Sequence, residues 1–153
     1  MQVIKNKQLI DNAWQQIADD GEIVEGNISV SLARWRKEKN QLISHKNQLG
    51  IRIQPDDNLA DIADELSYFQ LIELAFPDFA DGRLFSHAWL LRNRYAYTGE
   101  LRATGHYMSD QVFYLSRVGV NAFLPNNPAH LAIELTHLND FSVHYQRSSL
   151  NHP

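Results

Sequence analysis

Short apolar runs alternate with longer amphipathic stretches from Asn27 onward, and that alternation predicts the architecture. Apolar runs at residues 28–32, 51–53, 71–76, 101–104 and 120–124 have the length and β-branched character of buried strands. Between them, residues 33–48, 84–95, 110–118 and 128–145 read as helices. Residues 59–69, with Leu59, Ile62, Ala63, Leu66 and Phe69 at helical spacing, make a fifth. Gly50 ends one helix, Pro55-Asp56-Asp57-Asn58 forms a turn, and Pro77 and Pro125 close two strands. Ahead of this region, Val3-Ile4 and Leu9-Ile10 flank a polar Lys5-Asn6-Lys7 turn and predict a short hairpin. Trp14 and Ile17 read as an apolar lid.

Strand and helix in regular alternation, joined by a few residues, imply parallel strands covered by helices. The expectation is an open, mainly parallel five-stranded sheet with helices on both faces and a short N-terminal hairpin. A half-barrel of βα units is the alternative; a full eight-stranded barrel would need roughly 200 residues or more. Residues 1–146 read as a single α/β domain, with residues 1–26 as hairpin and lid and 147–153 as a frayed tail. At 153 residues, with 44% hydrophobic and 21% charged positions, the chain suits one soluble domain. A net charge of −4 argues against nucleic acid. No run is apolar enough to span a bilayer, and no signal-peptide core is present, so the expected location is cytoplasmic. With no cysteine, the chain itself cannot supply a disulfide, thiolate-held iron–sulfur cluster or thiol nucleophile.

Charge distribution singles out residues 71–123. All five lysines precede position 50, whereas the five cations of this stretch are arginines: Arg83, Arg92, Arg94, Arg102 and Arg117. A guanidinium is a planar fork that binds carboxylate or phosphate two-handed. In parallel sheets ligands sit beyond the carboxyl ends of the strands, where the third and fourth expected strands deliver Asp78–Arg83 and Gly105–Asp110. Asp81, Gly82, Arg83, Arg92, Arg102, Gly105 and Asp110 are therefore the anion- or partner-binding candidates. The plainer alternative makes Asp81 a helix cap, Gly82 a turn residue and Arg83 a partner of Asp78 or Asp110. Arg92 is expected to pair with Glu100 or Asp110. Arg102 and Glu73 stand inside central strands, where a cross-strand ion pair between them is the economical arrangement. His106 is the one histidine in a crevice loop and the only acid–base candidate; the sequence identifies no catalytic residue. His130, His137 and His144 recur every seven residues, about 10 Å apart along a helix, too far for neighbours to share a metal ion. Gly-x-Ser-x-Gly, phosphate-loop and Gly-x-Gly-x-x-Gly motifs are all missing.

The central stretch resembles a bacterial family of short, uncharacterised proteins described as oxidoreductases involved in sulfite reduction. The resemblance is carried by Phe76-Pro77, Asp81-Gly82-Arg83, Ser86-x-Ala88, Leu90-Leu91-Arg92-x-Arg94-Tyr95 and Gly99-Glu100-Leu101-Arg102-Ala103-x-Gly105. It continues through Asp110-Gln111-x-Phe113, Arg117-x-Gly119 and Ala122-Phe123, with weaker similarity at Ala33-Arg34-Trp35 and Phe141–Gln146. The family commonly has cysteine at the position of Val118 and aspartate at that of His106. The resemblance implies an accessory protein of assimilatory sulfite reduction that binds the reductase haemoprotein or its electron donor through an arginine-rich sheet edge. The alternative is a small enzyme, or an anion- or cofactor-phosphate-binding domain, of sulfur metabolism. Electron transfer would require a bound flavin or a borrowed cofactor, and a flavin and a homo-oligomer both stay open.

Overall fold

In a computed structural model of the chain, residues 1–78 and 82–140 are described here. Phe79, Ala80, Asp81 and residues 141–153 lie outside them, as do His144 and the expected tail at 147–153. The strands are β1 (Gln2–Lys5), β2 (Gln8–Asp11), β3 (Trp14–Gln16), β4 (Asn27–Ser31), β5 (Leu49–Ile53), β6 (Leu71–Phe76), β7 (Glu100–Gly105) and β8 (Ala122–Pro125). They form one sheet in the order β2-β1-β8-β7-β6-β5-β4-β3. The five expected strands are β4 to β8, and they are mutually parallel.

The five-stranded, two-faced description needs correcting: eight strands join the sheet, and the chain winds in one direction only. β4 to β8 are neighbours in chain order, with no switch point. Right-handed crossovers that all step the same way leave every helix on the same face. That face holds α1 (Leu32–Ile43), α2 (Arg83–Asn93), α3 (Val112–Arg117) and α4, helical over residues 131–140. One apolar cluster packs alternate strand residues such as Val30, Ile51, Leu74, Ala103 and Phe123 against Trp35, Leu42, Leu84, Ala88, Leu91 and Leu115. Ser31 starts α1 by accepting the Arg34 amide at 3.1 Å. Residues 59–69 bury four of their five expected apolar positions, Leu59, Ile62, Leu66 and Phe69, with Ala63 half-buried, but wind as 3-10 turns at Leu59–Asp61 and Ala63–Tyr68. Spacings of three, four and three residues fit either winding, and the tighter one covers more distance per residue.

The N-terminal segment makes the sheet curl. β1 pairs antiparallel with β2 through the turn at Asn6 and Lys7, both at positive φ, and β1 joins β8. β3, expected as a lid, is instead an edge strand parallel to β4. β2 and β3 therefore occupy opposite edges although only Asn12 and Ala13 separate them. A flat eight-stranded sheet would hold those edges roughly 34 Å apart, whereas three residue steps reach about 11 Å. The sheet consequently curls into an open half-barrel, the alternative architecture. It fits in so short a chain because β1, β2 and β3 follow one another without helical crossovers.

Candidate functional site

The inner face mixes apolar positions such as Leu71, Ala75 and Leu124 with a run of polar ones. Alternation along β4 to β7 sends Ser29, Arg52, Glu73, Arg102 and Thr104 inward, opposite the apolar cluster. Ser29, Glu73 and Arg102 are almost completely buried. Gln16 Nε2 on β3 donates to Glu73 Oε2 on β6 at 2.9 Å, across three strand spacings, which only inward curvature allows. Arg52 donates from Nη2 to the Ile17 carbonyl at 2.8 Å and from Nη1 to Ser29 Oγ at 3.3 Å. Its Nη1 stands 3.9 Å from Glu73 Oε1, a buried oxygen with no hydrogen-bond partner among the described residues.

Glu73 and Arg102 are register partners, as expected, but they do not form the expected ion pair. Arg102 instead holds Glu100 Oε2 through Nε at 2.9 Å and Nη2 at 2.7 Å, and donates to Asn12 Oδ1 at 3.0 Å. Glu100 lies two residues back on the same strand and same face, so the long guanidinium meets it by leaning along β7. Lys5 Nζ reaches the other oxygen of Glu100 at 3.2 Å. The inner face thus sets three cations, Lys5, Arg52 and Arg102, against two carboxylates, Glu73 and Glu100.

A cavity of about 330 Å³ opens at the carboxyl ends of the strands, with Gln16, Arg52, Ala75, Thr104 and Gly105 in its wall and Pro128 and Leu131 at its rim. Ligand sites of parallel sheets occupy this position. A second cleft of about 560 Å³ lies beside it, between the 105–110 loop and α4. Gly105 and Asn126 border both, joined by a 2.9 Å bond from the Asn126 amide to the Gly105 carbonyl.

At the cleft, Glu134 on α4 is fully buried and accepts from Tyr107 Oη at 2.7 Å and Ser109 Oγ at 2.9 Å. Burial pushes the Glu134 carboxyl up to about 7, against the opposing pull of the two hydroxyl donors. The Tyr107 phenol is driven upward by burial and then by the neighbouring carboxylate. Ser109 opens the turn before α3 without making a capping bond; its hydroxyl is used on Glu134. His106 is exposed in the same cleft. Among the described residues no cluster of three metal-ligating side chains occurs.

The sequence-derived candidates do not converge on one place. Gly105 and Asp110 border the cleft, and Arg102 lies deep on the inner face. Gly82 takes the N-cap position of α2 without a side-chain bond, and Arg83 is exposed in its first turn. Asp81 is outside the described residues. β6 and β7 end at the same sheet edge, since they are adjacent and parallel and the His106 amide donates to the Phe76 carbonyl at 3.0 Å. Arg92 sits at the opposite edge and pairs with neither Glu100 nor Asp110. Its guanidinium donates to the carbonyls of Gly119 at 2.9 Å, Tyr97 at 2.9 Å and Gly99 at 2.8 Å, tying together the loops that precede β7 and β8. Those carbonyls satisfy the fork without a carboxylate, and burial lowers its pKa.

Arg52, Gln16 and Glu134 were not among the candidates. Arg52 interrupts the apolar run Ile51-Arg52-Ile53 just as Arg102 interrupts its own, and the same rule about charge within a central strand identifies it. Gln16 and Glu134 carry no such local signal, because their partners are 57 and 27 residues away.

A family model described as "Bacterial protein of unknown function (DUF934)" matches residues 50–153. The chain belongs to this family. The matched span includes Arg52, Glu73, Arg102, Gly105 and Glu134, whereas Gln16 and the hairpin precede it. Neither the curated proteins nor the solved structures searched contain a match to the chain. Among the described residues no helix is long and apolar enough to cross a membrane.

Proposed function

We propose that the protein is a ligand-binding domain that takes a small oxyanion in the mouth of its half-barrel. Its role in the cell, on this reading, is that of an accessory of assimilatory sulfite reduction, the setting its sequence resemblance implies. The observation that carries the binding function is a cavity at the carboxyl ends of parallel strands whose wall presents Arg52, Gln16 and Thr104. Glu73 holds Gln16 by a hydrogen bond and stands opposite Arg52, which fixes the positions of both side chains in that wall. Among the described residues Arg52 is the one charged side chain in the cavity wall, which favours a negative guest, and a guanidinium fork suits a tetrahedral or pyramidal oxyanion.

Calorimetric titration with inorganic phosphate, sulfate and sulfite tests the binding. At least one of these is expected to bind saturably, and Arg52→Gln to weaken it about ten- to a hundredfold, as loss of a charge-assisted hydrogen bond implies. Because Arg52 also ties Ile17 and Ser29, Thr104→Val serves as a second variant; its own bond to the Leu74 carbonyl is long, at 3.5 Å, so it should fold normally and bind a few-fold more weakly. No saturable binding of any of the three anions to the wild type would refute the binding function. The cellular setting is tested by deleting the gene: growth on sulfate should suffer while growth on cysteine is spared, and equal growth on both would refute it.

A further inference from the structure

The mouth cavity and the outer cleft differ in chemistry, and they meet along the Gly105–Asn126 bond. Among the described residues, the inner compartment presents a single cationic side chain, Arg52, beside Gln16 and Thr104, with Met1, Leu124 and Pro125 also in its wall. The outer one is walled by Met108, from the loop after β7, and Ile133, on α4, which are 42% and 46% exposed. Large apolar side chains left in water gain from covering by a ligand, and methionine adapts its shape to a flat guest. Asn127 and His130 at the outer cleft supply donors and acceptors for substituents on such a guest. A bare oxyanion fills only a fraction of the inner space and leaves the outer walls uncovered. Small-molecule sites are characteristically apolar walls with a few placed polar groups, and the two compartments together have that make-up.

We propose that the ligand is an aryl phosphomonoester, or a phosphorylated compound of similar build, lying across the Gly105–Asn126 ridge. Its phosphate faces Arg52 in the mouth, and its flat body lies between Met108 and Ile133. This inference rests on the proposed anion-binding function and names the class of ligand at the same site. The strand ends define the anion position, and the pairing of loop with α4 defines the ring position, so the two halves can be perturbed separately.

The probes are inorganic phosphate, 1-naphthyl phosphate and 1-naphthol, titrated into the full-length protein by calorimetry and, for the naphthyl compounds, fluorescence. Naphthyl phosphate is expected to bind at least tenfold more tightly than phosphate, and naphthol much more weakly than naphthyl phosphate. The double variant Met108→Ser, Ile133→Ser changes only exposed side chains. It should abolish the advantage of naphthyl phosphate while leaving phosphate binding unchanged. Arg52→Gln should weaken phosphate and naphthyl phosphate by the same factor. Equal affinity for phosphate and naphthyl phosphate, or a double variant that keeps the advantage, overturns the inference and leaves the anion site standing. Naphthol binding as tightly as naphthyl phosphate also overturns it, by showing an apolar site unconnected with the anion. If no probe binds while sulfate or sulfite does, the inference fails and the anion site stands; if sulfate and sulfite fail as well, both fall.

Discussion

Glu134 gives the protein a stability that depends on pH in a predictable direction. Its carboxyl is fully buried, and burial raises it from an ordinary 4.5 to about 7. The folded state therefore holds this proton over a range where the unfolded chain has released it. Stability from this group is complete below about pH 4.5, declines as pH rises, and is lost above about pH 7. At roughly 1.4 kcal/mol per pH unit, that interval corresponds to about 3 kcal/mol. Glu134→Gln removes the titration and keeps the shape, with one amide oxygen still able to accept from Tyr107 or Ser109. Urea unfolding of both proteins at pH 4.5, 6 and 8 gives the difference in stability, and pH effects common to both cancel. The glutamine variant should gain on the wild type by about 3 kcal/mol between pH 4.5 and 8, most steeply between about pH 5 and 6.5. A difference that stays constant across this range would show that Glu134 titrates normally, and the burial argument would be wrong. A difference changing in the opposite direction would mean that the Tyr107 and Ser109 hydroxyls outweigh burial.

Two further perturbations test the framework around the site. Gly105 ends β7 at φ +91°, and an added Cβ would stand 2.6 Å from the Phe76 carbonyl oxygen. Gly105→Ala should cost about 1–3 kcal/mol in urea unfolding, and a variant as stable as the wild type would refute the need for glycine there. Arg92→Lys replaces a fork that reaches three carbonyls with a single ammonium, and should cost about 1–3 kcal/mol despite keeping the charge. An unchanged unfolding midpoint would show that the carbonyls find other donors.

What the sequence determined by itself was the succession of elements and the sense of strand pairing. Apolar runs such as Leu71–Phe76 are too continuous for strands with one face in water, and crossovers of this length bring successive strands in parallel, as β4 to β8 are. It also marked Glu73 and Arg102 as misplaced unless paired, and both prove to be buried among polar groups. The tertiary structure decided the winding. A doubly wound sheet and a half-barrel use the same strands and helices, and nothing local records whether the next strand adds to the left or to the right. Winding in one direction then fixed which face is enclosed, and so turned Ser29, Arg52, Glu73 and Thr104 into the lining of one interior. Partner choice was equally nonlocal: Arg102 met Glu100 along its own strand, and Arg92 met carbonyls that precede two other strands. Glu134 became a buried acceptor only when α4 closed on the 105–110 loop. A charge in an apolar run is a local signal, whereas the group that satisfies it depends on distances that only the folded chain sets.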